Sequence, residues 1–303
     1  MGKKIIRYIY FGNYFVGALA IALSVETSSQ LRLPFNSFLY YLILFSGTVM
    51  YYTYAYSTPL QSYDAENSRA AWYVKHHKFV MFSQWFLLSA CIVLSSCLVV
   101  KNFDNLFRIS IQYWLIGIVM GLSAILYYGL LPRSFFRLNL RNTGWIKAFV
   151  IGFVWGCSVS LLPVIVLQLE HGSYYVEPTL LFWLFIKNWM FCTVNAIMFD
   201  IKDYEDDSNH QLKTFVVQFG IHRTIFFILL PLALIGMFFM LAFTHYRHFP
   251  ILPVLINLLP FILLLFVIYS MQKQKSIMYY LVVIDGVIFI KAICGIIGMQ
   301  FVH

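Results

Sequence analysis

The sequence is short of charge. Only 11% of its 303 residues are Asp, Glu, Lys or Arg, where soluble domains carry about 25%. Acids are the scarcer sign, 12 against 21 basic residues. So few charges cannot cover the surface of a soluble fold of this length, and 61% of the residues are apolar. A disordered chain is excluded by the same figures, because disorder goes with high charge and low hydrophobicity. Cysteine is sparse as well: Cys91, Cys97, Cys157, Cys192 and Cys294 all lie within apolar runs and form no C-x-x-C pair. That excludes a secreted disulfide scaffold and leaves the five as small packing residues. No Pro/Gly-rich linker or low-complexity tract divides the chain, so residues 1–303 read as a single domain. Lipid is the solvent that this composition requires.

What is abundant is the long apolar run. Nine stretches approach or exceed the 17–25 residues that cross about 30 Å of hydrocarbon. They are Tyr8–Val25, Phe38–Tyr56, Phe79–Val100, Ile111–Leu131, Ile146–Leu169, Thr179–Phe199, Thr224–Phe243, Ile251–Met271 and Met278–Phe301. The runs are apolar all round, which fits helices buried in lipid and in one another. None shows the short alternating segments of a membrane β-barrel. The expected fold is an all-α integral membrane protein, with about nine transmembrane helices in one bundle. The first run follows Lys3, Lys4 and Arg7 like a signal peptide, but Asn13 interrupts it, and an uncleaved helix is the expectation.

The +9 net charge would suit a nucleic-acid partner, but its distribution points elsewhere. Fifteen of the 21 basic residues fall in alternate inter-helix segments, against four in the other set; Lys187 and Lys291 lie within helices. This positive-inside bias places the N-terminus in the cytoplasm and predicts contact with membrane lipids rather than nucleic acid.

Five of the 12 acids sit within eight positions, in the string DIKDYEDD: Asp200, Asp203, Glu205, Asp206 and Asp207. At about 100° per residue, Asp200, Asp203 and Asp207 would share a helical wedge of about 60°. Three carboxylates there need a divalent cation or basic neighbours. Hard oxygen donors suit Mg²⁺, which takes one or two carboxylates together with substrate phosphates.

The stretch NAIMFDIKDYEDDSNHQLKTFVVQFG resembles the second aspartate-rich motif of the UbiA superfamily of intramembrane prenyltransferases. Asp200, Asp203 and Asp207 match its acidic positions, and Thr214 and Gly220 its tail. The segment Tyr127–Lys147 is similar to the family's basic segment between helices four and five. The resemblance implies a membrane prenyltransferase, an enzyme that transfers alkyl groups other than methyl. Mg²⁺ bound by the aspartates would meet the diphosphate of a prenyl donor, and a lipid or aromatic acceptor would capture the allylic cation. It also implies Lys147 and Arg69 as catalytic donors to the diphosphate. Lys202, Lys213, Arg137 and Tyr54 would be substrate-binding residues. A bacterial inner (plasma) membrane is the expected location.

The family's first aspartate-rich motif belongs just after helix two. Tyr51, Tyr52, Thr53, Tyr54, Ala55, Tyr56 and Ser57 stand there without a carboxylate; the nearest acids are Asp64 and Glu66. Those two fold back as ligands, or one metal with the basic loops suffices, or the chain is a non-catalytic relative that binds or moves a lipid. A secondary transporter ranks last, because Pro163, Pro231, Pro253 and Pro260 show no paired helix breaks. The phenol rings of Tyr51–Tyr56 could line a pocket. Lys187 is expected to snorkel to the exterior, Asp285 and Lys291 do not face each other, and His76-His77 is a weak metal pair.

Overall fold

In the computed structural model, residues 2–57, 68–128, 144–172, 174–209, 211–273 and 275–302 are described. Arg137 falls outside them, as do Arg133, Arg141, Asp64, Glu66 and His210. Among the described residues every regular element is helical. The chain runs through α1 (Gly2–Phe11), α2 (Tyr14–Gln30), α3 (Phe38–Ser57), α4 (Ser68–Lys75), α5 (His77–Lys101), α6 (Phe103–Leu106) and α7 (Ile111–Tyr128). It continues with α8 (Ile146–Gly156), α9 (Leu162–His171), α10 (Pro178–Lys202), α11 (Tyr204–Asn209), α12 (Phe215–Thr224) and α13 (Leu230–Tyr246). The last are α14 (Ile251–Ser270), α15 (Ile277–Tyr279) and α16 (Asp285–Met299).

Each of the nine apolar runs overlaps a helix among the described residues, and the helices there that meet the length and composition of a full span number six or seven. Six helices among the described residues are long and apolar enough to cross a membrane: His77–Lys101, Ile146–His171, Pro178–Lys202, Phe215–Tyr246, Ile251–Ser270 and Ile277–Met299. A seventh is Lys4–Phe11 with Tyr14–Gln30, taken as one span bent by 60°. Asn13 explains the bend. It adopts φ 61°, a left-handed conformation that Asn tolerates better than most residues, and so ends one helix and starts the next.

Two other irregularities follow from proline. The π-helical turn Cys157–Leu161 stands just before Pro163, and Ile225–Leu229 just before Pro231. A proline has no N–H to give and its ring clashes with the carbonyl four residues back, so the preceding turn widens. The helix axis survives in both places, which lets Ile146–His171 and Phe215–Tyr246 continue across the break.

Burial separates centre from rim. In α10, 72% of the apolar window is buried, whereas in α5 the figure is 11%. Helix α10 is therefore the core element, and Phe82, Trp85, Phe86 and Ile92 of α5 face outward as lipid-facing surface. Lipid tails are as apolar as leucine, so helix contact in a membrane depends on close packing. At Gly152 a Cβ would collide with the backbone and hydroxyl of Thr193. Gly152 and Gly156, four residues apart, let α8 lie directly on α10. This contact fixes the first residue of the site, Lys147 on α8, relative to the last turn of α10.

Candidate functional site

Helix α10 does not carry all three aspartates of the expected ladder. It ends at Lys202; Asp203 takes the cap position with φ −93° and ψ 12°, and the chain turns into α11. Asp200 is in the last turn of α10 and Asp207 in α11, yet the turn brings the two together. Lys147 lies between them, its Nζ 3.0 Å from Asp200 Oδ1 and 3.0 Å from Asp207 Oδ2. Asp200 and Asp207 are buried, and Asp200 Oδ2 has no hydrogen-bond partner among the described residues. Burial pushes the Asp207 carboxyl above the usual carboxylate range, and the Lys147 ammonium pulls it back only in part. Asp203 is set apart, half-buried and paired with its neighbour Lys202.

The three carboxylates are thus a pair and a single rather than one cluster. Among the described residues no three His, Cys, Asp or Glu side chains gather to hold a metal alone. Two hard carboxylates with one orphaned, buried oxygen nevertheless fit Mg²⁺, whose remaining positions go to water and substrate phosphate.

A second polar cluster occupies the place where carboxylates are missing. Arg69, at the start of α4, is buried. Its Nη2 donates to Asn13 Oδ1 at 2.6 Å and to the Phe11 carbonyl at 3.3 Å. Its Nη1 donates to the Tyr56 hydroxyl at 3.2 Å, and the guanidinium lies 4.2 Å from the centre of that ring. Asn13 Nδ2 in turn donates to Thr53 Oγ1 at 3.0 Å and to the Tyr73 hydroxyl at 3.3 Å. The polar atoms after helix two therefore tie down an arginine. Lys202 is near enough to Tyr56 and Arg69 to feel both, which joins this cluster to the aspartates.

Below Lys147 is a cavity of about 470 Å³. Val150, Ile151, Val154 and Ser158 line it, at three, four, seven and eleven positions beyond Lys147. At helical spacing these share the face that carries Lys147. Tyr51 and Tyr52 form part of the opposite wall, and Tyr52 bonds Trp155 across the space. The expected phenol lining holds for these two; Tyr54 is exposed, and Tyr56 lies under Arg69 instead. Lys213 is also exposed, and its carbonyl accepts from Trp145 N at 3.0 Å just ahead of α8. His76 uses Nδ1 in a 2.9 Å hydrogen bond with Tyr8, so its ring is committed there.

One buried group was absent from the sequence reading. Glu26 on α2 meets Lys187 Nζ at 3.2 Å and Lys291 Nζ at 2.6 Å, all three inside the bundle. Lys187 therefore does not snorkel. It lies fully buried on Glu26 and donates to Gln30 Oε1 at 2.7 Å. Ending the first apolar run at Val25 hid the acid by one residue. Two lysines inside apolar helices were the signal that an intramembrane acid had to exist.

A family model described as the UbiA prenyltransferase family matches residues 61–284. A solved structure from a study of digeranylgeranylglyceryl phosphate synthase in membranes superposes with a TM-score of 0.55. It is 16% identical and covers 98% of this chain and 99% of its own, so the likeness is one of fold. No curated protein matches the chain. The family match spans well over half the sequence and includes Lys147, Asp200, Asp203 and Asp207: the chain belongs to the UbiA prenyltransferase family.

Proposed function

We propose that this protein transfers a prenyl group from a prenyl diphosphate to a lipid or aromatic acceptor, with Mg²⁺ as cofactor, from the cytoplasmic face of its membrane. One juxtaposition carries the reading: the buried Asp200–Lys147–Asp207 group stands one helical turn above an apolar cavity on the same face of α8. Charge above and an apolar chamber below suit an amphiphile whose headgroup is a diphosphate and whose tail is a hydrocarbon.

In this mechanism Asp200 and Asp207 are the metal ligands. Mg²⁺ would neutralise charge on the departing diphosphate. Lys147 and Lys202 donate to phosphate oxygens as negative charge develops there. Arg69 is held rigid by Asn13 and Tyr56 and adds fixed positive potential beside them. Arg137 and Lys213 belong to the basic segments that attract the headgroup. Tyr51, Tyr52 and Trp155 line the chamber, and aromatic rings in a dry pocket stabilise an allylic cation and exclude water.

The second reading is a lipid-binding relative without transferase activity. The observation favouring it is that Tyr56 directly, and Thr53 through Asn13, hold Arg69 where a second carboxylate motif is expected. One assay decides between them. Purified protein is incubated with Mg²⁺, labelled prenyl diphosphates of several lengths and aromatic acceptors, beside Asp200→Asn. Diphosphate release that Asp200→Asn abolishes is the expected result. No release at any donor length, with donor retained in an Mg²⁺-dependent way, would leave the binding protein.

A further inference from the structure

The position of Lys147 has a consequence for how a cation enters. Its ammonium is bonded to both carboxylates that would hold the metal, at 3.0 Å each. Two buried carboxylates brought together without a cation would repel each other strongly, because the interior screens charge poorly. Lys147 removes that repulsion in the metal-free protein. The same bonds place a positive charge where a divalent ion would sit, and the two cannot both fit at full charge. Asp200 Oδ2, buried and without a hydrogen-bond partner among the described residues, is left with spare acceptor capacity on a carboxylate that already holds the ammonium.

We propose that Lys147 is a built-in counter-ion that keeps Asp200 and Asp207 together until a divalent cation binds, and that the cation enters by displacing its ammonium, which then turns to a phosphate oxygen of the substrate. The proposal rests on reading Asp200 and Asp207 as metal ligands. The chemistry of the side chain suits the exchange: lysine is a compact charge on a flexible four-carbon stem with three rotatable donors, so it can leave one partner for another without moving the helix. An arginine fork held on two carboxylates would resist such a swing. The arrangement also couples the two ligands. Metal arrival frees a cation beside the headgroup site, so metal and diphosphate each strengthen binding of the other.

Mn²⁺ serves as the probe, with binding to purified protein in detergent followed by electron paramagnetic resonance without any prenyl donor. Lys147→Met keeps the stem and removes the charge. It should bind Mn²⁺ at least about fivefold more tightly than the wild type, the lower end of ordinary coupling between sites. Lys147→Arg, which keeps the charge, should not tighten binding. Equal or weaker binding by Lys147→Met overturns the proposal, as does absence of Mn²⁺ binding in both proteins. Where Lys147→Met does not fold, the wild type decides. Reductive methylation of Lys147, read by peptide mass spectrometry, should rise severalfold on adding Mg²⁺; no change overturns the exchange. Both measurements omit the prenyl donor, so exchange without prenyl transfer would sink only the transferase reading. Mg²⁺-dependent transfer without release of Lys147 would sink only the exchange.

Discussion

Glu26 Oε2 and Lys291 Nζ meet at 2.6 Å inside the bundle, although 265 residues separate them along the chain. The contact ties α2 to α16, and the other carboxylate oxygen of Glu26 ties both to Lys187 of α10. Gly295 makes the approach possible, since a Cβ there would overlap the Glu26 side chain. Nothing apolar would hold three helices in this register so specifically, because their lipid-facing and helix-facing residues are chemically alike.

Glu26→Gln should therefore destabilise the protein severely. The amide keeps the volume but leaves Lys187 and Lys291 buried without their carboxylate. Removing one partner of a buried ion pair costs about 3–5 kcal/mol. Unfolding by denaturant in mixed micelles measures it. A loss no larger than the ~0.6 kcal/mol of an ordinary intramembrane hydrogen bond would show that the lysines lose their charge at little cost.

The aspartates should not be equivalent. Asp200 and Asp207 share Lys147, whereas Asp203 is half-buried beside Lys202. Outer partners of a metal site are worth about 10–100-fold in affinity or activity. Asp203→Asn should stay within that range in prenyl transfer, and Asp200→Asn and Asp207→Asn should each exceed it. The three single variants in one transfer assay give the ranking; the largest loss at Asp203 would refute it.

Gly47 lines the cavity, and a Cβ built there meets nothing within 4 Å. Gly47→Phe should thus fill the chamber without disturbing the fold. Each methylene that no longer fits is worth about 1–3 kcal/mol of discrimination. Long prenyl donors should lose kcat/KM while short ones keep it. An equal loss for every donor length would mean that the chain lies elsewhere.

Gly152 is the opposite case, since its missing side chain is filled by Thr193 of the neighbouring helix. Gly152→Val should cost about 1–3 kcal/mol through overpacking. The same substitution should lower transfer activity further, because separating α8 from α10 moves Lys147 away from Asp200. Thermal unfolding and transfer rate, measured together, check both effects. Activity unchanged in a destabilised variant would mean that the α11 turn alone holds the pair.

Membrane embedding was legible in composition, because a chain with so few charges has lipid to face, and the helical class in the long unalternating apolar runs, because a membrane backbone is satisfied in helices or in a closed barrel and a barrel needs alternating segments. The acidic string was legible too, since five acids together cannot be accidental in a chain with 12. Its geometry was not. A helical wheel assumes that the helix continues, and α10 stops at Lys202, so the tertiary turn chose Asp200 and Asp207 and released Asp203. Lys147, Arg69 and Glu26 are likewise single charges whose partners lie 53 or more residues away or across a helix break. Local spacing cannot pair them; only the packing of α1, α2, α3, α4, α8, α10 and α16 decides which partner each one meets. The initial shortage of charge thereby acquires a physical meaning: with so few ionisable groups inside the bundle, each must find a specific partner, and those partners fix the register of the helices.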